Sequence, residues 1–165
     1  MTPKNKVLIG LVIAALISRI APHYPNFTAM GALAFMGANQ NKSLFKIIAL
    51  TFGVLMVSDL FINNFIYPSG SFVLMYKGSL FTYAGFILYA IAGRFAKTGA
   101  KGMIALIAGS IGFFLLSNLG VFLSEFSLFP RTTTGLVATY AAGLPFYAPE
   151  LISYRFKEIT QQPLD

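Results

Sequence analysis

Residues Lys46 to Tyr67 read KIIALTFGVLMVSDLFINNFIY, an apolar run with a single carboxylate, Asp59, inside it. A helix climbs about 1.5 Å per residue and a bilayer's hydrocarbon core is about 30 Å thick, so about 20 apolar residues cross it. By that rise Asp59 stands roughly 20 Å above Lys46, in the outer third of such a layer. Helical spacing predicts Asn63 one turn further on the same face and Tyr67 a turn beyond. A charge at this depth is expensive and must face protein or a wet cavity, not lipid. It either locks helices together or lines a binding site.

Composition agrees with a membrane chain. Only 10% of the 165 residues are charged and 56% are hydrophobic, whereas a soluble domain carries about 25% charged residues. The net charge of +7 would suit nucleic acid, but its distribution follows the positive-inside pattern, so no nucleic-acid partner is expected. There are no cysteines and one histidine, His23. Disulfides, thiolate metal sites and multi-histidine metal sites are therefore not expected, and neither is a cofactor. The short basic flank before Val7 is not followed by a small-x-small cleavage site, and the first apolar run is read as a membrane helix.

The chain reads as one all-α transmembrane domain over residues 1–165, with six spans at about 7–22, 27–43, 45–64, 79–95, 102–123 and 133–152. The first carries Gly10, Ala14 and Ser18 at a spacing of four, a stripe that lets another helix approach closely. The second is the shortest, with only about eleven apolar residues from Thr28 to Ala38. Pro145 and Pro149 predict a kink or an early end in the sixth. The connection Asn63 to Lys77, with Pro68, Gly70 and two tyrosines, is placed to cap a site or simply to reach the next helix. With both termini cytoplasmic, nine Lys and Arg lie inside and only Arg19, Lys77 and Arg131 outside, as the positive-inside rule asks. A re-entrant second segment would abolish that bias.

Arg19, Asp59 and Asn118 all count to about 20–25 Å above the inner flank. The outer connections add His23, Asn26, Asn63, Asn64, Glu125 and Arg131. A polar outer third over an apolar inner portion fits a ligand cavity opening outward, not a continuous aqueous channel, which needs polar groups at every depth. The alternative is a buried Arg19–Asp59 pair, with Asn118 completing its hydrogen bonds, that only holds the fold. No phosphate-binding loop, nucleophile elbow or zinc-protease motif is present, and no catalytic residue is assigned.

The series Arg19-x-x-Pro22-His23-x-Pro25-Asn26-Phe27-Thr28-Ala29, Ser58-Asp59-Leu60, Ser117-Asn118-x-Gly120-Val121, Pro130-Arg131-Thr132-x-x-Gly135 and Pro145-Phe146 resembles an uncharacterised family of small bacterial membrane proteins described as candidate transport proteins. More distantly, the size and six-helix layout resemble the substrate-binding S-components of energy-coupling-factor (ECF) transporters. That resemblance implies a bundle in the bacterial inner membrane that takes up a small vitamin-like or other polar organic solute near its outer face. It also implies docking on a coupling protein driven by ATPases. Gly10, Ala14 and Ser18 would form the docking face, although glycine and serine stand where alanines are usual.

The expectation is a solute-capture subunit, not an enzyme, with Arg19, Asp59, Asn63, Asn118 and Arg131 on the ligand and His23, Asn26 and Glu125 at the rim. Two other classes stay open. One is a membrane assembly factor without a solute. The other is a lipid-modifying membrane enzyme using Asp59 with Glu125.

Overall fold

A computed structural model describes residues 3–21, 29–40, 43–96, 99–124 and 127–159. They form six helices and no strand: α1 (Pro3–Ile20), α2 (Met30–Gln40), α3 (Leu44–Phe61), α4 (Ser79–Phe95), α5 (Ala100–Leu123) and α6 (Thr133–Ile159), with a π-helical segment, Ile62–Ile66, appended to α3. α4 is helical over the expected residues 79–95, and the helices α3 and α5 start within two residues of the expected 45 and 102. α1 starts earlier than predicted because proline is tolerated in the first turn, where its missing N–H has no intrahelical partner; Lys4 and Lys6 are therefore helical. α6 runs on past Pro145 and Pro149 to Ile159 instead of ending near them. Proline's φ fits a helix, and the cost falls on the carbonyls of Ala141 and Pro145, which lose their usual donors.

α2 is the centre of the molecule. Met30, Leu33, Ala34 and Ala38 are fully buried, with Ala32 nearly so. Small residues allow this. Gly37 faces Ile47 of α3 and Leu8 of α1, and the Cα of Gly93 in α4 lies directly against the carbonyl oxygen of Phe35. At eleven residues, α2 is about 16 Å long, roughly half a hydrocarbon core; it is the helix described within the expected 27–43. Asn39 at its end donates to the carbonyls of Ala96 (2.8 Å) and Gly93 (3.3 Å) at the end of α4. The two helices thus run the same way, and the Asn39 amide takes up carbonyls that a helix end leaves without donors.

The helices alternate in direction, so the ends of α1, α3 and α5 lie with the starts of α2, α4 and α6. We call this the site end. The starts of α1, α3 and α5 and the end of α4 lie opposite, and bring exposed Lys4, Lys6, Lys46, Arg94 and Lys101 to that side.

Large apolar side chains cover much of the surface, and a few polar ones are buried in the apolar interior. Ile9, Ile13 and Ile17 project from α1, Phe45, Phe52 and Val57 from α3, and Ile104, Ile107 and Ile111 from α5, while Ser58, Asp59, Ser79 and Ser110 are buried. Two helical stretches, Leu44–Ile66 and Ala100–Leu123, are long and apolar enough to cross a membrane.

Candidate functional site

Asp59 lies in the last turn of α3 and is buried. An isolated carboxylate in such a position needs both a counter-charge and hydrogen bonds. Both are present. Oδ1 is paired with Nη2 of Arg19, from the last turn of α1. Oδ2 accepts a 2.7 Å hydrogen bond from the hydroxyl of Tyr83, one turn into α4. Arg19 Nε donates to Ser58 Oγ at 2.7 Å, and Ser58 donates in turn to the carbonyl of Val54 at 2.7 Å. Three helices are thereby joined through one carboxylate.

The pair is asymmetric. The side chain of Asp59 is 3% exposed and that of Arg19 is 15% exposed. Among the described residues, the network uses both oxygens on its anionic side and leaves Nη1 on its cationic side without an acceptor.

The connection from α3 to α4 is fastened over this end. The π segment widens the turn after Phe61, closing on a 2.8 Å bond from Tyr67 N to Ile62 O. An extra residue in a turn changes the direction in which the next side chains point. Asn64 is consequently the residue that reaches across: it donates to Val73 O and accepts from Val73 N, both at 2.8 Å. Tyr76 is half-buried and bonds to Thr82 at 3.2 Å. Burial pushes its pKa above the ordinary tyrosine value, the hydrogen bond to Thr82 opposes this, and the charges of Asp59 and Arg19 act on it in opposite senses. At neutral pH Tyr76 is a protonated hydroxyl close to the pair.

Several predicted site residues fall elsewhere. Asn118 does not complete the hydrogen bonds of Asp59: its Nδ2 donates to Phe114 O at 2.8 Å, and its Oδ1 lies against Gly143 in the seam between α5 and α6. Counting residues fixes height along a helix but not the neighbour its side faces. Arg131 is exposed, donates to Ser124 O at 2.8 Å and lies over the ring of Phe122. A cation just past the end of α5 complements the helix dipole there. Asn63 is half-buried, with a shielded Nδ2 that has no partner among the described residues, and makes no bond to the pair; the π turn has moved it off the predicted face. Tyr67 is exposed. His23, Asn26 and Glu125 lie outside the described residues. On α1, Gly10 is open to the surface, and Ala14 and Ser18 are half-buried. Ser18 accepts from Ala29 N at 2.9 Å, which anchors the approach to α2.

Tyr76 is one of the two tyrosines of the connection Asn63 to Lys77 that the sequence places to cap a site, whereas no residue pattern singles out Tyr83. The signal for Tyr83 was a hydroxyl deep in an apolar helix, since a buried tyrosine O–H needs a partner. Among the described residues no group of three or more metal-ligating side chains gathers.

Fold and site together define a six-helix all-α protein with a buried arginine–aspartate pair at one end. Residues 1–156 match a Family of unknown function (DUF6580), and the chain belongs to that family. This agrees with the expected resemblance to an uncharacterised family. No curated protein and no solved structure matches the chain.

Proposed function

We propose that this is a multi-pass protein of the bacterial inner membrane that captures a small polar organic solute at its site end. The apolar outer faces of α1, α3 and α5, and the gathering of cations at the opposite end, support the membrane reading, with that opposite end cytoplasmic. The observation that carries the capture reading is the state of Arg19. One edge of its guanidinium is fixed by Asp59 and Ser58, while Nη1 has no acceptor among the described residues and the side chain is partly exposed. Such a group, held by a buried carboxylate, is prepared to donate to a carboxylate or carbonyl oxygen of a ligand. Asp59, with both oxygens engaged, acts as a positioning residue and does not receive the amine or hydroxyl of a solute. A separate partner of the energy-coupling type would drive release, docking on the α1 face that carries Gly10, Ala14 and Ser18.

The saturation of Asp59 also favours a second reading, in which the pair only locks the fold and the protein serves as an assembly factor. Native mass spectrometry of gently extracted protein separates them, using wild type and the double variant Arg19→Met/Asp59→Leu. Replacing a whole buried pair by apolar residues is often neutral for stability, so the double variant should stay folded. A stoichiometric small molecule on the wild type and none on the variant supports capture. Bare protein in both cases, with a stoichiometric protein partner retained, sinks it in favour of the assembly factor.

A further inference from the structure

The connection from α3 to α4 carries no charged residue from Leu60 to Tyr76. Its large side chains divide into two sets. Phe72 is 77% exposed, and Phe65, Tyr67 and Leu74 are exposed as well. Phe65 also stacks on exposed Phe61 at 5.4 Å between ring centroids. Val73 and Met75 are half-buried, Met75 against the core. Extended backbone alternates its side chains in this way, so Phe72 and Leu74 project outward together. Exposed apolar side chains gathered on one connection mark a contact with a partner or a membrane.

The backbone of the same stretch has the opposite need. From Pro68 to Met75 no backbone group bonds to another backbone group among the described residues. Asn64 serves only Val73, and Ser71 O accepts from Ser69 Oγ. Irregular backbone of this kind is not tolerated facing hydrocarbon, where nothing satisfies its N–H and C=O groups. The side chains therefore call for lipid and the main chain for water. Both are met at the membrane interface, where aromatic rings sit at headgroup level. Length puts the connection there. α3 and its π segment, Leu44–Ile66, span 23 residues, about 30–35 Å at the helical rise. A hydrocarbon core about 30 Å thick that starts near Lys46 thus ends at the connection. At the same end, the connection from α5 to α6 carries Leu128, which is also exposed.

We infer that residues 65–74 are an interfacial anchor, with Phe65, Tyr67, Phe72 and Leu74 seated among the headgroups and upper acyl chains of the leaflet at the site end. The partner is phospholipid, and the contact does not depend on headgroup charge, because the stretch presents none. Asn64 is the positioning residue: its two bonds to Val73 fix the limb from which Phe72 and Leu74 project. The anchor holds the site end at headgroup depth. The inference rests on the membrane reading and is independent of solute capture at Arg19.

The chain has no tryptophan, so Phe72→Trp gives one fluorophore on the connection. Val57→Trp, at an exposed position midway along α3 and its π segment, samples the bilayer interior. Each variant is placed in phosphatidylcholine vesicles whose acyl chains carry bromine either near the glycerol or near the terminal methyl, and iodide is added to the water in parallel. At position 72 the upper bromines should quench more strongly than the terminal ones, and at position 57 the order should reverse. Iodide should quench position 72 less than free tryptophan. Quenching of position 72 by iodide but by neither bromine places the connection in water and overturns the inference. Shielding from iodide and from both bromines overturns it too, since the connection is then covered by protein, a second copy or a partner. So does a depth equal to that of position 57. In all three cases bromine quenching at position 57 leaves the membrane reading standing. Its absence there would overturn that reading itself.

Discussion

Two regions hold α4 in place by opposite means. Along its length it meets α5 and α2 through glycines. Gly85 faces Phe113, Gly109 faces Tyr89 and Ala92, Gly112 faces Leu88, Gly120 faces Phe81, and Gly93 lies on the backbone of Phe35. At its start it meets α1 and α3 through one hydroxyl on one carboxylate. The glycine seams need only shape, and close approach of small residues is the usual way helices associate where no water is available to drive them together. The charge network needs a proton donor, an acceptor and a cation in fixed positions, and it carries a desolvation cost. Since the glycine seams already provide cohesion, a buried pair is an expensive way to add more. That difference is the reason to look for function at the site end and for stability along the seams.

Thermal unfolding in detergent tests this contrast. Asp59→Ala should have the largest effect, about 4 kcal/mol of lost stability, because it leaves the guanidinium of Arg19 without its counter-charge. A loss under about 1 kcal/mol would mean the guanidinium escapes to water and that the pair is not a structural element. Gly93→Ala should follow at about 3 kcal/mol, the upper end for overpacking, since the added methyl meets a backbone carbonyl that cannot swing aside. If it is tolerated without loss, α2 and α4 are less tightly opposed than the structure has them. Tyr83→Phe should cost about 2 kcal/mol by leaving one carboxylate oxygen without its donor. Tyr76→Phe, which removes only the bond to Thr82, should cost about 1 kcal/mol.

Tyr76 also gives a pH test with a defined sign. Burial raises its folded pKa above the ordinary value of 10.0. Its share of the stability is therefore complete below pH 10 and declines as pH rises through the ordinary tyrosine range towards the folded value. Tyr76→Phe should show a shallower alkaline decline than the wild type. Identical slopes would remove Tyr76 from the buried surroundings of the pair.

The Arg19–Asp59 pairing was legible because the options were few. A lone acid in an apolar helix must find a cation, and Arg19 was the arginine at the matching height on another helix. Asn118 had the right height too, yet it faces Gly143. Each residue turns a helix by about 100°, and the side a residue presents to its neighbours depends on how the whole bundle is packed, which no single segment contains. Asn63 shows a smaller version of the same limit: a π turn, which leaves little trace in composition, moved it and brought Asn64 to Val73 in its place.

Local composition accounts for the six described helices, their order, their apolar outer faces, the cations at one end and the single acid within the third segment. Packing accounts for the rest. It made the shortest helix the core, because only small residues let the neighbouring helices close around it. It chose Tyr83 and Ser58 over Asn118 as the partners of the charge pair, because hydrogen bonds reach about 3 Å and only packing brings distant residues within that distance. It also left the hydroxyl of Thr51 without a partner among the described residues, because whether a buried hydroxyl is satisfied depends on every atom around it.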